Sequence, residues 1–329
     1  MIFVWLSVLL ASVFLAHWGA EHLSEPLKKL RRKWGFSAAA GGSFIGLAAA
    51  APEIGINTTS AIRGVNVIAI PMMVVVAYLA TRTSGTAGGG SAQNGHAEHR
   101  REHLMQVDPQ AVTVQALPYL AIIVLFALVT LPAPWSGLQP VDGWVLLIGY
   151  LVYLGQALLR GHAESEQVEW KDREKWFAAA GVAALAIGAY FTVFSTEKIV
   201  SLFVTAPIAA MPEVFATWYI ARSGQITSGV TSVMGDHVVT MTLAFIPLTI
   251  TGMPIENKQL FLVSLGFVAL MPALYAAFIW GGGRETGFKR WQVAMLPGAY
   301  AVFVAAVVFA IPSGPSGQSG SGGSAQQQQ

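Results

Sequence analysis

Two acids sit where acids are rarely found. Glu53 closes the run Ala48-Ala49-Ala50-Ala51-Pro52-Glu53, and Glu213 closes Ile208-Ala209-Ala210-Met211-Pro212-Glu213. Each Pro-Glu pair lies inside an apolar stretch long enough to span a bilayer. A charged side chain at the centre of a membrane helix costs about 2.5–3.5 kcal/mol or more, so such residues are functional candidates by default. A proline removes one helical hydrogen bond and frees the carbonyl four residues earlier. Here those carbonyls belong to Ala48 and Ile208. A carboxylate beside loose carbonyls offers oxygen ligands to a desolvated cation. Such a break persists in a membrane helix only where the backbone is buried in protein or lines a cavity. Two carboxylates at one site cannot both ionise cheaply without a cation, which couples proton binding to cation binding. The two copies stand 160 positions apart, and a duplicated intramembrane site is the mark of a transporter built from internal repeats.

A third acid and an imidazole, Asp236 and His237, follow Gly235 about eight residues into another apolar run. At a rise of about 1.5 Å per residue this puts them inside the bilayer and not at a helix end near its surface. A hard divalent ion such as Ca²⁺ takes about six to eight oxygens. Glu53, Glu213 and Asp236 are the candidate metal ligands, with the carbonyls of Ala48 and Ile208 and with water. His237 and Thr240 complete the candidate cation- and proton-binding set. An imidazole titrates near pH 6.5 in water and also ligates softer ions such as Mn²⁺ or Zn²⁺. Thr240 and Thr242 serve equally well as helix-packing hydroxyls. Two further polar groups read as ordinary surface: His17, Glu21 and His22 as an interfacial helix end, and His96, His99 and His103 with Glu98 and Glu102 as a solvated loop.

These groups need membrane helices to position them. Of the 329 residues 54% are hydrophobic and 11% charged, less than half the charge of a soluble domain. The chain is an all-α integral membrane protein by this measure. With no cysteine, disulfides and thiolate metal sites are excluded. Ten spans of about 20 apolar residues are predicted: 2–20, 37–61, 65–81, 112–131, 142–159, 176–194, 199–221, 229–250, 259–280 and 292–311. The first is read as a retained helix and not a signal peptide, since no basic n-region precedes it. With the N-terminus outside, sixteen Lys and Arg fall in inner loops and three (Arg63, Lys198, Lys258) in outer loops. That asymmetry fixes a multi-pass plasma-membrane orientation with the basic loops in the cytoplasm. The ten tryptophans mostly fall near span ends, as an aromatic belt does.

Five helices fall in each half, with one Pro-Glu element on the second helix of each. An odd number per half inverts the second half relative to the first. The organisation is a first five-helix repeat over 1–160, including a Gly/Ser-rich flexible cytoplasmic linker over 83–110. A cytoplasmic connecting loop follows over 161–175. The second five-helix repeat covers 176–312, and a disordered Gly/Ser/Gln tail covers 313–329. Ten helices as two inverted five-helix repeats would set Glu53 against Glu213 near the midplane.

The motifs resemble those of the calcium/cation antiporter superfamily, which includes sodium/calcium and proton/calcium exchangers. Gly46 to Glu53 is similar in spacing to that family's first Gly-Thr-Ser-x-Pro-Glu-type motif, and Thr205 to Glu213 to its second. The run from Gly19-Ala20-Glu21 to Gly35-Phe36-Ser37 also looks like the family's approach to its first motif. The departures are specific. The hydroxyls that help ligate sodium in the family are replaced by Ala49 and Ala50 and by Ala209 and Ala210. Gly235-Asp236-His237 stands where Gly-Ser-Asn is expected on the third helix of the second half, with Thr240 at a further polar position. The first-half counterpart carries Pro71, Met72, Val75, Val76 and Ala80 instead of polar residues. The resemblance implies a secondary antiporter working by alternating access. The lost hydroxyls shift the expected coupling from Na⁺ to H⁺ in exchange for Ca²⁺ or a related divalent cation. No cofactor beyond the transported cation, no enzymatic activity and no nucleic-acid partner is expected; cations, protons and the lipid bilayer are the partners, and the oligomeric state stays open. The rival reading is a non-transporting scaffold or sensor that keeps the fold. The absence of a His-Glu-x-x-His spacing argues against a hydrolase.

Overall fold

The structure, a computed structural model, describes residues 2–49, 65–83, 104–132, 136–160, 169, 171–199, 211–255, 257–281 and 286–310. The expectations placed on Glu53, on Ile208, on the linker over 84–103 with its three histidines, on the loop over 161–168 and on the tail lie outside the described residues. Among the described residues seven helices are long and apolar enough to cross a membrane, and Val67–Thr83 is a shorter apolar one.

Helix α1 (Ile2–Trp34) runs past the expected end at residue 20, through Pro26 and the basic run. Thirty-three residues make about 50 Å of helix, against a hydrocarbon core of about 30 Å. Its last turns therefore project beyond the apolar layer, where Lys29 Nζ pairs with Glu174 at 2.7 Å. The helix stops at Gly35, whose φ of 64° is the left-handed conformation that ends helices. Ser37 then caps α2 (Ala38–Ala49) by accepting the Ala40 N–H at 3.2 Å.

Helix α3 is Val65–Thr83. The expected linker is partly ordered: Leu104–Gln106 forms strand β1, with Leu104 and Met105 buried. A π-helical turn, Val112–Ala116, leads into α4 (Leu117–Thr130). Strand β2 (Gly137–Leu138) and α5 (Pro140–Arg160) follow. The second half has α6 (Asp172–Ile199), α7 (Met211–Arg222) and α8 (Ile226–Met241). The eighth span, expected to be continuous over 229–250, breaks at Thr242 into a 3₁₀ turn, Leu243–Phe245, and a short helix, Ile246–Thr251. Pro247 is the cause, since it has no N–H to return to the Leu243 carbonyl. Strand β3 (Met253–Pro254), α9 (Lys258–Trp280), β4 (Gly287–Lys289) and α10 (Arg290–Ala305) complete the chain, α10 ending in a π turn, Ala306–Ala310.

Helix α8 is the central post, with all sixteen of its residues buried. It packs against α2, α3, α4 and α7. The main core joins α3, α4, α5, α8, α9 and α10 through residues such as Ile70, Met73, Tyr119, Phe126, Val238, Phe245 and Tyr275. Two antiparallel ribbons tie distant segments together. Strand β1 pairs with β4 in the register Leu104↔Lys289, Met105↔Phe288 and Gln106↔Gly287, and β2 pairs with β3. Gly287, at φ 152°, leaves room for the Met105 carbonyl.

Helices α1 and α6 form a separate seam. Lipid tails are as apolar as leucine, so membrane helices associate through close packing of small residues and through hydrogen bonds. A methyl group on Gly188 would lie 2.5 Å from the Ala16 nitrogen and 2.7 Å from the Ser12 carbonyl oxygen. One on Gly19 would lie 2.5 Å from the Leu185 nitrogen. Ser12 and Thr192 hydroxyls meet across this seam at 3.1 Å. The seam rests on α7 through a small cluster of Ala16, Leu23, Leu185, Ala216 and Ile220, distinct from the main core. Gly188→Val should therefore pry the backbones apart and cost about 1–3 kcal/mol. A clear fall in melting temperature in detergent is expected, whereas Gly266→Ala, where a methyl group meets nothing within 4 Å, should leave it unchanged or slightly raised.

Candidate cation-binding site

Helices α7 and α8 form a tight antiparallel hairpin. The turn over 223–225 carries Gly224 at φ 89°, and the Ser223 and Gln225 N–H groups return to the Tyr219 and Ile220 carbonyls. Above the turn the two backbones touch. Thr217 Oγ1 donates to the Gly229 carbonyl at 3.1 Å and lies 3.2 Å from the Met73 sulfur on α3. Helical geometry then locates both acids. Glu213 is one turn from Thr217 on the same face of α7, and Asp236 is two turns from Gly229 on the same face of α8. Both lie further from the hairpin turn than this contact, on faces turned toward each other. Both are buried, Glu213 at 7% exposure and Asp236 at 2%. Glu213 Oε2 has no hydrogen-bond partner among the described residues. A buried acid oxygen without a donor is uncommon and calls for a proton, a water or an ion.

Helix α2 enters from the other side and runs parallel to α8. Ser228 Oγ donates to the Ala38 carbonyl at 2.7 Å at the start of both helices. Gly42 then meets Thr231, and a methyl group on Gly235 would lie 2.9 Å from Ser43 Cα. Ala48 sits on α2 beyond this crossing, leading toward Glu53. Small residues thus bring the α2 backbone against α8 immediately beside Asp236. Because α7 and α8 are antiparallel, α2, which precedes the first Pro-Glu pair in sequence, and α7, which carries the second, run in opposite directions.

The remaining site candidates point elsewhere. His237 is fully buried, but one residue on from Asp236 it is turned about 100° round the helix. Its ring faces Tyr119 on α4, with centroids 5.6 Å apart. Neither of its nitrogens has a hydrogen-bond partner among the described residues. Thr240 Oγ1 donates to the Asp236 carbonyl at 3.1 Å, the pattern of a packing hydroxyl. His17 and His22 do not converge. His17 Nε2 lies 3.0 Å from the Tyr219 hydroxyl. His22 donates from Nδ1 to the Trp18 carbonyl at 2.9 Å and stacks between Trp18 and Phe177. Among the described residues no three His, Asp or Glu side chains form a metal cluster.

One buried polar network escaped the sequence reading. Gln115, inside the π turn before α4, donates to the Ser43 hydroxyl at 2.6 Å and the Ala39 carbonyl at 2.8 Å. The Tyr153 hydroxyl on α5 donates to Gln115 Oε1 and lies 3.2 Å from Ser43 Oγ. These contacts clamp α2, one residue from its crossing with α8, to α4 and α5. The available signal was a neutral amide inside an apolar span, the same kind of anomaly that marks the acids.

With this geometry in view, comparison with known proteins places the chain. A family model described as sodium/calcium exchanger protein matches residues 4–159. That match covers a little under half of the chain. Solved structures of the sodium-calcium exchanger NCX_Mj share its fold. The form soaked with 10 mM Na⁺ and zero Ca²⁺ is 18% identical at a TM-score of 0.65, over 93% of this chain and 100% of that one. The form with 100 mM Na⁺ and 10 mM Sr²⁺ is 19% identical at 0.65, over 93% and 99%. The form with zero Na⁺ and Ca²⁺ is 18% identical at 0.64, over 93% and 100%. No curated relative matches the chain. With seven described helices long and apolar enough to cross a membrane, the chain is a multi-pass membrane protein with an exchanger-like fold.

The clamp on α2 gives a direct expectation. Tyr153→Phe removes the donor to Gln115 Oε1 and leaves that oxygen buried without its partner. The cost of such a loss is about 1–3 kcal/mol. A lowered melting temperature in detergent should result, with little recovery in Ser43→Ala/Tyr153→Phe because the Gln115 oxygen stays unpaired.

Proposed function

We propose that the protein is a secondary antiporter that exchanges Ca²⁺ or a related divalent cation for protons, by alternating access around Glu53 and Glu213. The observation that carries this reading is the buried Glu213 carboxylate, with one oxygen unpartnered among the described residues; helical spacing sets the buried Asp236 on the α8 face turned toward α7. An acid held in that way is stable either protonated or beside a cation, and the two conditions exclude each other. Deprotonation on one side admits the cation, and its release on the other returns the protons. Asp236 adds a third carboxylate to the oxygen set, and the carbonyls of Ala48 and Ile208 are the backbone contribution. His237, on the Tyr119 side of α8, is a proton-responsive neighbour in this scheme, and Thr240 orders the helix around Asp236.

Two features support the arrangement as inverted five-helix repeats. Helix α2, which precedes the first Pro-Glu pair, and α7, which carries the second, run antiparallel. The two ribbons are also exchanged by renumbering. β1 and β4 join the segment between α3 and α4 to that between α9 and α10. β2 and β3 join the segment between α4 and α5 to that between α8 and α9. Replacing each helix of one half by its counterpart in the other converts one pairing into the other, as a two-fold axis in the membrane plane would. The α1–α6 seam, resting on α7 through its own small cluster, is suited to move as one body while the core stays packed. The orientation follows the basic residues, with the N-terminus outside and the long basic loops cytoplasmic, in a plasma membrane.

Proteoliposomes with an imposed pH gradient should take up Ca²⁺. Glu213→Gln should abolish the uptake, and Asp236→Asn should reduce it at least tenfold. Uptake that follows a sodium gradient and ignores the pH gradient would overturn proton coupling. If folded protein moves neither Ca²⁺ nor Mn²⁺ under either gradient, the scaffold reading replaces transport.

A further inference from the structure

On the bilayer-facing side of α4 and α5, away from the acids, lies a groove of about 610 Å³. Its walls are apolar, with Leu117 and Leu125 on α4 and Ile148 and Val152 on α5. Ile148 is 60% and Val152 66% exposed. Its polar groups gather at one end, where Gln156 and Arg160 lie one and two turns along α5 from Val152. Among the described residues the shielded Gln156 Oε1 atom has no hydrogen-bond partner and the Arg160 guanidinium has no ion pair. No acid lines the groove. From Val145 to Arg160, both lining residues, α5 rises about 22 Å. Half of the hydrocarbon core is about 15 Å thick, so the groove spans one leaflet from the headgroup level to just past the midplane.

We propose that this groove binds a phospholipid of the cytoplasmic leaflet, its acyl chain laid between α4 and α5 and its phosphate held by Arg160. The charge and the shape select the ligand together. The guanidinium, unpaired among the described residues, matches a phosphate in bidentate geometry, and the wall behind it offers only apolar contact over the length of a chain. The multi-pass character of the protein puts bilayer lipid against this face at all times, so the occupant needs no recruitment. The site has a consequence for the interior, because Tyr153 lines the groove with its ring and closes the Ser43–Gln115 network with its hydroxyl. A chain seated there packs against the residue that clamps α2, so the lipid braces α2 from outside.

Native mass spectrometry on the full chain in detergent tests this, with phosphatidylglycerol and the diacylglycerol of the same chains added separately. The wild type should retain phosphatidylglycerol and not the diacylglycerol. Arg160→Gln, which removes the phosphate partner, and Val152→Trp, which fills the groove, should each reduce retention at least tenfold. Both side chains are exposed, so both variants should melt as the wild type does without lipid; added phosphatidylglycerol should raise the melting temperature of the wild type alone. Equal retention by all three proteins would overturn the proposal. So would complete displacement of the lipid by inorganic phosphate, which would leave an anion site and no lipid groove.

Discussion

A carboxylate that loses water inside a bilayer must hold a proton or face a cation, and the surrounding structure follows from that constraint. The several kcal/mol lost by an isolated buried ion is a large share of the 5–15 kcal/mol by which a typical domain is stable. The acids therefore have to be enclosed by backbone that can approach closely. Helix α8 meets the requirement by being buried on every side. Gly235 lets α2 pass beside Asp236, and Gly229 lets α7 touch α8 two turns away. Bulkier residues at these crossings would open space for water and relieve the constraint on which ion selection depends.

The packing is unequal across the molecule. The main core is continuous through α3, α4, α5, α8, α9 and α10, and two ribbons staple its connecting segments. The α1–α6 seam is equally tight within itself and has its own cluster on α7, where Ala16, Leu23 and Leu185 pack with Ala216 and Ile220, flanked by Phe215 and Tyr219. It thus rests on the helix that carries Glu213.

The burial of Glu213 and Asp236 was legible because both acids interrupt apolar runs; the place of Glu53 lies outside the described residues. The spans were legible for the same reason, from hydropathy and the side-to-side asymmetry of Lys and Arg. Other features depend on partners distant in sequence. The extension of α1 to Trp34 is held at Lys29 by Glu174, and the pairing of Leu104 with Lys289 has no local signature. The break at Thr242 could have been read from Pro247. So could the divergence of His237 from Asp236, since adjacent helical residues cannot face one crevice. Gln115 was harder, because it belongs to no repeated motif and its meaning lies in Ser43 and Tyr153.

The contrast between Gln115 and Glu213 separates two uses of buried polarity. Gln115 is fully enclosed and its donors and acceptor are taken by Ala39, Ser43 and Tyr153. A group satisfied within the protein has nothing to offer an ion, and its hydrogen bonds resist any movement of α2 relative to α4 and α5. Glu213 is nearly as enclosed yet keeps one oxygen without a partner among the described residues. Left in that state it would be a steady cost, which a proton, a water or an ion would relieve. The satisfied network fixes α2 against α4 and α5, and the acid leaves α7 a buried group still open to a partner.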